Sequence, residues 1–269
     1  MRNFSLWVGI FLVAIAGGSA VLGAFWTPYD PLGLETGPAN LSPSPSHPFG
    51  TDWFGRDVLS RVLAAAPVGI RVSLLGVVLG GILGTLLGAV AGYAGGYPGE
   101  ALEVMLNLLL SFPPLILALL SVTVLGPGEG SVVAAIGAFN LPYFGKLAKA
   151  LFMELKGMKY VEAARATGAG TFRIMALHIL PNALGPLLVQ FTNPLGTALL
   201  AEASLSYLGL GTQPPYPSWG RMLKEAQVYL SLAPWNAIFP GLAITMAVLG
   251  FNLLGDGLGI LLNPRLRRT

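Results

Sequence analysis

Uncharged, mostly apolar runs recur along the chain at Leu6–Trp26, Val72–Gly92, Val104–Leu125, Ser131–Gly145 and Ala183–Ala201, with another inside Ala226–Gly255. A helix needs about 20 such residues to cross bilayer hydrocarbon, so the pattern predicts six transmembrane helices. The first run has 21 residues behind Arg2, longer than the roughly 7–15 apolar residues at the core of a cleaved signal, and is read as a retained span. The fourth has only 15 uncharged residues. Either it continues past Lys146 and Lys149, whose ammonium groups would reach back to the interface, or it is not a span.

Between the runs the pattern changes character. Residues 28–48 carry Pro28, Pro31, Pro38, Pro43, Pro45 and Pro48, which forbid regular helix and favour extended chain and turns. From Arg56, RDVLSRVLAA places Val58, Leu59, Val62 and Leu63 on one face and Arg56, Asp57, Ser60 and Arg61 on the other, the spacing of a helix lying along the membrane surface. Pro113 and Pro114 interrupt the third span, with a plain kink as the expected result. Residues 158–181 read as helix, break, helix. Lys159, Glu162 and Arg165 form a charged face, Gly168 and Gly170 interrupt it, and Thr171 is placed to cap a second helix with Phe172, Met175, Ile179 and Leu180 on one side. Pro181 then ends or bends that helix.

Composition fixes the class. The chain is 54% hydrophobic and 10% charged, with 36 Gly and a mean hydropathy of +0.70, whereas soluble domains carry about 25% charged residues. A soluble enzyme is excluded. With no cysteine, disulfides, thiolate metal sites and cysteine nucleophiles are excluded as well. The net charge of +3 sits beside apolar spans rather than in a nucleic-acid-binding stripe. Lys146, Lys149, Lys156, Lys159, Arg165 and Arg173 cluster between spans four and five, and Arg265, Arg267 and Arg268 close the chain. By the positive-inside rule both segments are cytoplasmic, and with six spans so is the N-terminus. The Tyr93–Glu103 connection dissents, with Glu100 and Glu103 and no cation.

In the second span Gly76, Gly80, Gly84, Gly88 and Gly92 fall four residues apart. Without side chains they let another helix approach closely, and such packing is what joins helices in lipid. The stripe is a packing surface whose partner, in this chain or another, the sequence leaves open.

The order Glu162-Ala163-Ala164, three residues, Gly168, and then Leu180-Pro181 resembles the EAA loop of permease subunits in ATP-binding-cassette (ABC) importers. His178 stands where that motif usually has isoleucine. The segments HPFGTDWFGRDVLSR from His47, YVEAARATGA from Tyr160, HILPN from His178, AEASLSYLGLG from Ala201, PSWG from Pro217 and FNLLGDGL from Phe251 are together similar to the C-type permease of dipeptide, oligopeptide and nickel importers. The resemblance implies an all-α integral membrane protein with the type I ABC importer permease fold and a cytoplasmic EAA coupling loop over residues 160–170. It divides the chain into an N-terminal helix, Pro-rich segment and interfacial helix (1–67), a permease domain (68–262) and a basic tail (263–269). It implies a heteromeric complex in a prokaryotic cell membrane, with a homologous second permease, two ATPase subunits and an extracytoplasmic substrate-binding protein. ATP and magnesium would be bound on the ATPases and no cofactor by this chain. The substrate class stays open among dipeptides, oligopeptides, and nickel or other metal chelates.

The remaining residues fit that implication. No GxxxxGK[ST] segment is present to cradle phosphates, and His47 and His178 fall on opposite sides of the predicted membrane, which argues against a zinc site or a Ser/His/Asp triad. Glu202 at the outer end of span five and Asp256 near the inner end of span six are ionisable residues near span ends, where capping or pairing is the expected role. Trp26, Trp53, Trp219 and Trp235 are expected in an outer aromatic belt. An ion-coupled secondary transporter is the rival class, but it favours inverted repeats, and none is evident here.

Overall fold

The computed structural model describes residues 2–262; the tail 263–269, with Arg265, Arg267 and Arg268, lies outside the described residues. In chain order the helices are α1 (Arg2–Phe25), α2 (Val58–Ala94), α3 (Gly96–Ser111), α4 (Pro114–Leu125), α5 (Glu129–Leu155), α6 (Lys159–Ala166), α7 (Thr171–Arg173), α8 (Leu180–Thr192), α9 (Pro194–Tyr207), α10 (Trp219–Ala226) and α11 (Trp235–Leu262). Among the described residues the only extended pairing is one antiparallel bridge, Thr51 to Asp57. Four stretches are long and apolar enough to cross a membrane: Ser5–Phe25, Val58–Ala94, Thr171–Tyr207 and Trp235–Gly259. The α3–α4 pair makes a fifth if taken as one bent span. Helix α5 has 27 residues but is not among the stretches apolar enough to cross by composition, so the described residues give four such spans, or five with the bent pair, rather than six. Its Lys149 pairs with Glu103 of α3, so the acidic Tyr93–Glu103 connection answers a cation on a neighbouring helix.

Two expectations about breaks are corrected. The chain turns by 97° between α3 and α4, far more than a plain kink. Phe112 and Pro113 are both extended there, because the residue before a proline avoids the helical region and Pro113 is itself followed by Pro114. Pro181, in contrast, does not stop its helix. Helix continues from Thr171 to Tyr207 through a π-helical turn at Ile174–Ile179; Phe172, just before that turn, is exposed and Ile179, at its end, is buried. Thr171 makes no cap hydrogen bond; Gly170 occupies the N-cap position.

The glycine stripe of α2 finds its partner in α5. A Cβ at Gly80, Gly84, Gly88 or Gly92 would land on the carbonyl oxygens of Gly137, Leu141, Gly145 and Lys149 respectively, and one at Gly76 would lie 2.6 Å from Ile136 Cβ. Partner positions advance in the same four-residue steps and the same direction, so α2 and α5 run parallel, backbone against backbone. Parallel helices need a return path between them, which α3 and α4 supply. The α1–α11 contact has the same character: Gly9 lies against the backbone of Leu253 and Leu254, and Gly250 against Leu12 and Val13.

The segment preceding α2 is a folded cap rather than a loose loop, and it corrects the interfacial-helix expectation. RDVLSRVLAA is the start of α2 itself, and the polar side assigned to water is buried: Arg56, Asp57, Ser60 and Arg61 are all under 7% exposed. Asp57 caps α2, accepting from Ser60 N at 2.8 Å and Ser60 Oγ at 2.7 Å, while its other oxygen lies 2.9 Å from His47 Nδ1. Tyr29 stacks on His47 at 4.7 Å between centroids. Asp57→Ala removes a cap of about 0.5–2 kcal/mol and strands His47, so it is expected to lower the thermal midpoint of the solubilised protein by several degrees, read by size-exclusion after heating.

Around this cap lie two acids and three arginines. Arg56 Nε donates to Asp52 Oδ2 at 2.7 Å, and Glu225 of α10 accepts from Arg56 Nη2 (2.9 Å), Arg61 Nη2 (3.2 Å) and Arg221 Nε (2.9 Å). Trp219 also belongs here rather than to a lipid belt, being 2% exposed with its indole N–H on Val62 O at 2.9 Å. Trp235 bonds Thr51 O at 3.2 Å. Trp26 and Trp53, 57% and 38% exposed, keep surfaces suited to an interface.

Candidate coupling site

Of the sequence segments singled out, residues 158–170 project from the helical body. After α5 ends, Met158 adopts an extended conformation and the eight-residue helix α6 begins. Two of its residues face inward. Val161 is fully buried and Ala164 nearly so, packed in a cluster with Ala148 and Phe152 of α5 and with Ile174 and Ile179. Burying a valine contributes about 1.5–2 kcal/mol, enough to seat the short helix on the body. The other face, Lys159, Glu162, Ala163, Arg165 and Ala166, is exposed.

The end of α6 is set by Gly168. Its φ is +81°, a conformation that residues with a Cβ seldom adopt. Ala169 N–H reaches back to Ala164 O at 3.0 Å and Gly168 N–H to Arg165 O at 3.0 Å, the two bonds of a Schellman C-cap. A Cβ at Gly168 would meet nothing within 4 Å. The glycine is therefore required by backbone conformation and presents open surface.

Glu162, Ala163 and Gly168 thus share one exposed end of the molecule, while Ala164 points into the body. Leu180 and Pro181 stand apart from them. Leu180 packs partly against the inward cluster, and Pro181 is exposed at the start of α8. The stripe of Gly76, Gly80, Gly84, Gly88 and Gly92 is internal to α2–α5. Asp256 is exposed. Glu202 is 1% exposed, away from the water expected at a span end; its Oε1 accepts from Ser206 Oγ at 2.7 Å and its Oε2 has no partner among the described residues. Sequence reading missed the five-member charge cluster, whose only signal was the density of charges in TDWFGRD.

Residues 84–268 match the family model described as the binding-protein-dependent transport system inner membrane component. The chain belongs to this family. The permease is 41% identical over 235 residues to a dipeptide transport system permease protein from Alkalihalophilus pseudofirmus, covering 87% of this chain and 77% of the relative. It is also 41% identical over 267 residues to a glutathione transport system permease protein from Salmonella paratyphi A, covering 99% and 88%. Its fold resembles that of a subunit in the inward-facing MetNI methionine ABC transporter, with a TM-score of 0.60 at 16% identity, over 76% of the permease and 96% of that chain. An amino acid ABC transporter gives 0.53 at 17% identity, over 78% and 94%. Membership makes the permease a membrane-embedded subunit of an ABC importer that works with ATPase and substrate-binding partners.

Proposed function

We propose that this chain is one of two permease subunits lining the path by which dipeptides or other short peptides enter a prokaryotic cell. ATP and magnesium are bound and used on two separate ATPase subunits, and an extracytoplasmic receptor delivers the substrate. This chain binds no cofactor, performs no hydrolysis and contacts no nucleic acid. Peptide substrates are favoured because relatives named for dipeptide and glutathione transport align along most of their length.

The observation that carries the mechanism is the geometry of α6. Its exposed Glu162 and Ala163 offer a small-faced, charged ridge that fits a cleft on the ATPase, and its inward Val161 and Ala164 fasten it to the end of α5. Closure of the ATPases moves α6, and α5 with it, switching the path from outward-facing to inward-facing. Lys146, Lys149, Lys156, Lys159, Arg165 and Arg173 lie on the α6 side, so that side and both chain termini are cytoplasmic.

Gly168→Asp tests this reading. At φ +81° an aspartate is strained by about 1 kcal/mol, too little to unfold the helix, but it places a negative charge at the carbonyl end of α6 on the docking surface. Expected are normal amounts in the membrane, loss of the ATPase subunits in a mild-detergent pull-down, and peptide uptake abolished. Normal uptake would sink the coupling assignment. Substrate-stimulated ATP hydrolysis by the reconstituted complex tests the importer class itself.

A further inference from the structure

After Arg61, α2 carries a single charge, Arg71. Its depth follows from the helix beside it. A Cβ at Gly23, near the outer end of the Ser5–Phe25 span, would land on Leu63 O, and Ala16 and Ala20 of α1 share a cluster with Ala65, Ala66 and Ile70 of α2. The two helices lie side by side through the outer part of the membrane. Arg71 comes a little over two turns past Leu63, which places it about 12 Å further in, more than an arginine side chain spans. Nor is it turned back toward the interface. Its Nη2 donates to Glu129, the first residue of α5, which the α2–α5 register sets at the same level, and the guanidinium makes no other hydrogen bond among the described residues.

Two observations say what this face meets. Arg71 and Glu129 keep 57% and 34% of their side-chain surface exposed, and charge exposed at such depth faces the bundle interior or water, not acyl chains. The backbone beside the pair is also broken. Between α4 and α5 the chain is irregular, with φ of +78° at Gly126 and +152° at Gly128, and Gly128 N–H donates to Leu210 O at 3.0 Å in the turn after α9. Non-helical backbone within the hydrocarbon depth is tolerated only inside protein or along a water-filled cavity, and Pro127 and Gly130 here are exposed. An ion pair and a broken backbone, open at the same level, mark a recess of water entering from the outer side.

Charge sets what such a recess takes. Peptides of different sequence share only their backbone and two charged ends. A guanidinium offers paired, coplanar N–H donors that match a carboxylate, and Arg71 has spent only one nitrogen on Glu129. One turn further in, Leu74 and Leu75 are exposed, so Arg71 is the last charge on α2 before the apolar stretch, where a carboxylate leaving bulk water needs a counter-charge. We propose that Arg71, oriented by Glu129, lines a water-filled recess on the outer side and binds the C-terminal carboxylate of the incoming peptide. The inference rests on the peptide-importer reading and adds a substrate contact to it.

The test uses the transporter with its ATPases in nanodiscs. The chain has no cysteine, and a Cβ at Gly130 meets nothing within 4 Å, so Gly130→Cys places one thiol of this chain beside Glu129 with space for it. A positively charged, membrane-impermeant methanethiosulfonate is expected to modify it, read as a mass shift of this chain, either without nucleotide or with a non-hydrolysable ATP analogue bound. No modification in either state means that lipid or another subunit covers the pair, and overturns the recess. With the receptor omitted, excess alanyl-alanine is expected to slow the modification, and its C-terminal amide is not. Arg71→Gln in the same background is expected to raise the alanyl-alanine concentration for half-protection about ten-fold, the loss of a charge-assisted hydrogen bond. Equal protection by acid and amide, no protection by either, or protection unaltered in Arg71→Gln overturns the carboxylate assignment. Stimulation of ATP hydrolysis by receptor and peptide, measured on the same preparation, reports the importer reading separately: stimulation without protection removes this site alone, and no stimulation removes the reading beneath it.

Discussion

Gly88→Leu is expected to eliminate nearly all correctly assembled permease, with the protein recovered as aggregate or degraded before reaching the membrane. A Cβ at this position falls on the carbonyl of Gly145, and Ala148 Cβ lies 2.9 Å away on the same helix. Neither can yield, because one is backbone and the other has no rotamer. The substituted helix has to move off α5, separating the close packing contacts that run from Gly76 to Gly92. Overpacking a tight core by a few carbons costs about 1–3 kcal/mol when side chains can shift; against backbone the effect exceeds that range. Gly17→Leu is the control, since nothing lies within 4 Å of its Cβ. Size-exclusion of a fluorescent fusion in mild detergent distinguishes them: a monodisperse peak for Gly17→Leu, and none for Gly88→Leu. A monodisperse Gly88→Leu protein would mean that α2 and α5 are not in this register.

Glu225→Ala should produce the second largest effect. It leaves Arg56, Arg61 and Arg221 facing Asp52 alone, so three guanidinium groups crowd a site in which Arg61 is 1% exposed. Removing one partner from a buried ion pair typically destabilises by about 3–5 kcal/mol. Glu225 keeps 22% of its side-chain surface in solvent, which reduces the effect to about 2–3 kcal/mol by screening. The expected readout is a marked drop in thermal midpoint. Adding Arg221→Ala should restore part of it, because that arginine bonds Glu225 and is the most exposed of the three. No change in midpoint would mean that the cluster is not closed in solution.

The two substitutions also mark how far the sequence could be read. Helix spacing and glycine periodicity are local, and they located most of the spans, the packing stripe and the short helix α6 with its break at Gly168. The partner of the stripe is not local, since nothing in Gly76–Gly92 names residues 137–149. The same limit explains the misreading of Arg56 and Arg61. Their helical face is polar, and polar faces ordinarily meet water, but Glu225, 169 residues beyond Arg56, brings counter-charge to them and makes burial favourable. Glu202 was misplaced because distance along the chain from a span end does not report what α10 and the following loop cover. The π-helical turn was unreadable for another reason: it shifts hydrogen bonds by one residue without a distinct composition.

The backbone contact between α2 and α5 has a mechanical consequence. Two helices locked through carbonyls and glycines over several turns cannot slide or bend independently, so they form a single stiff strut of about 40 Å, given 27 residues in α5 at 1.5 Å each. One end of the strut bears α6; the other begins in the charged cap gripping α10. Beside it, the helix from Thr171 to Tyr207 is interrupted by the π-helical turn and by the join at Asn193, which makes it the yielding member. Under the proposed coupling, a push at α6 would be carried by the strut to its far end, and the flexing needed to open and close a path would fall to the softer neighbour.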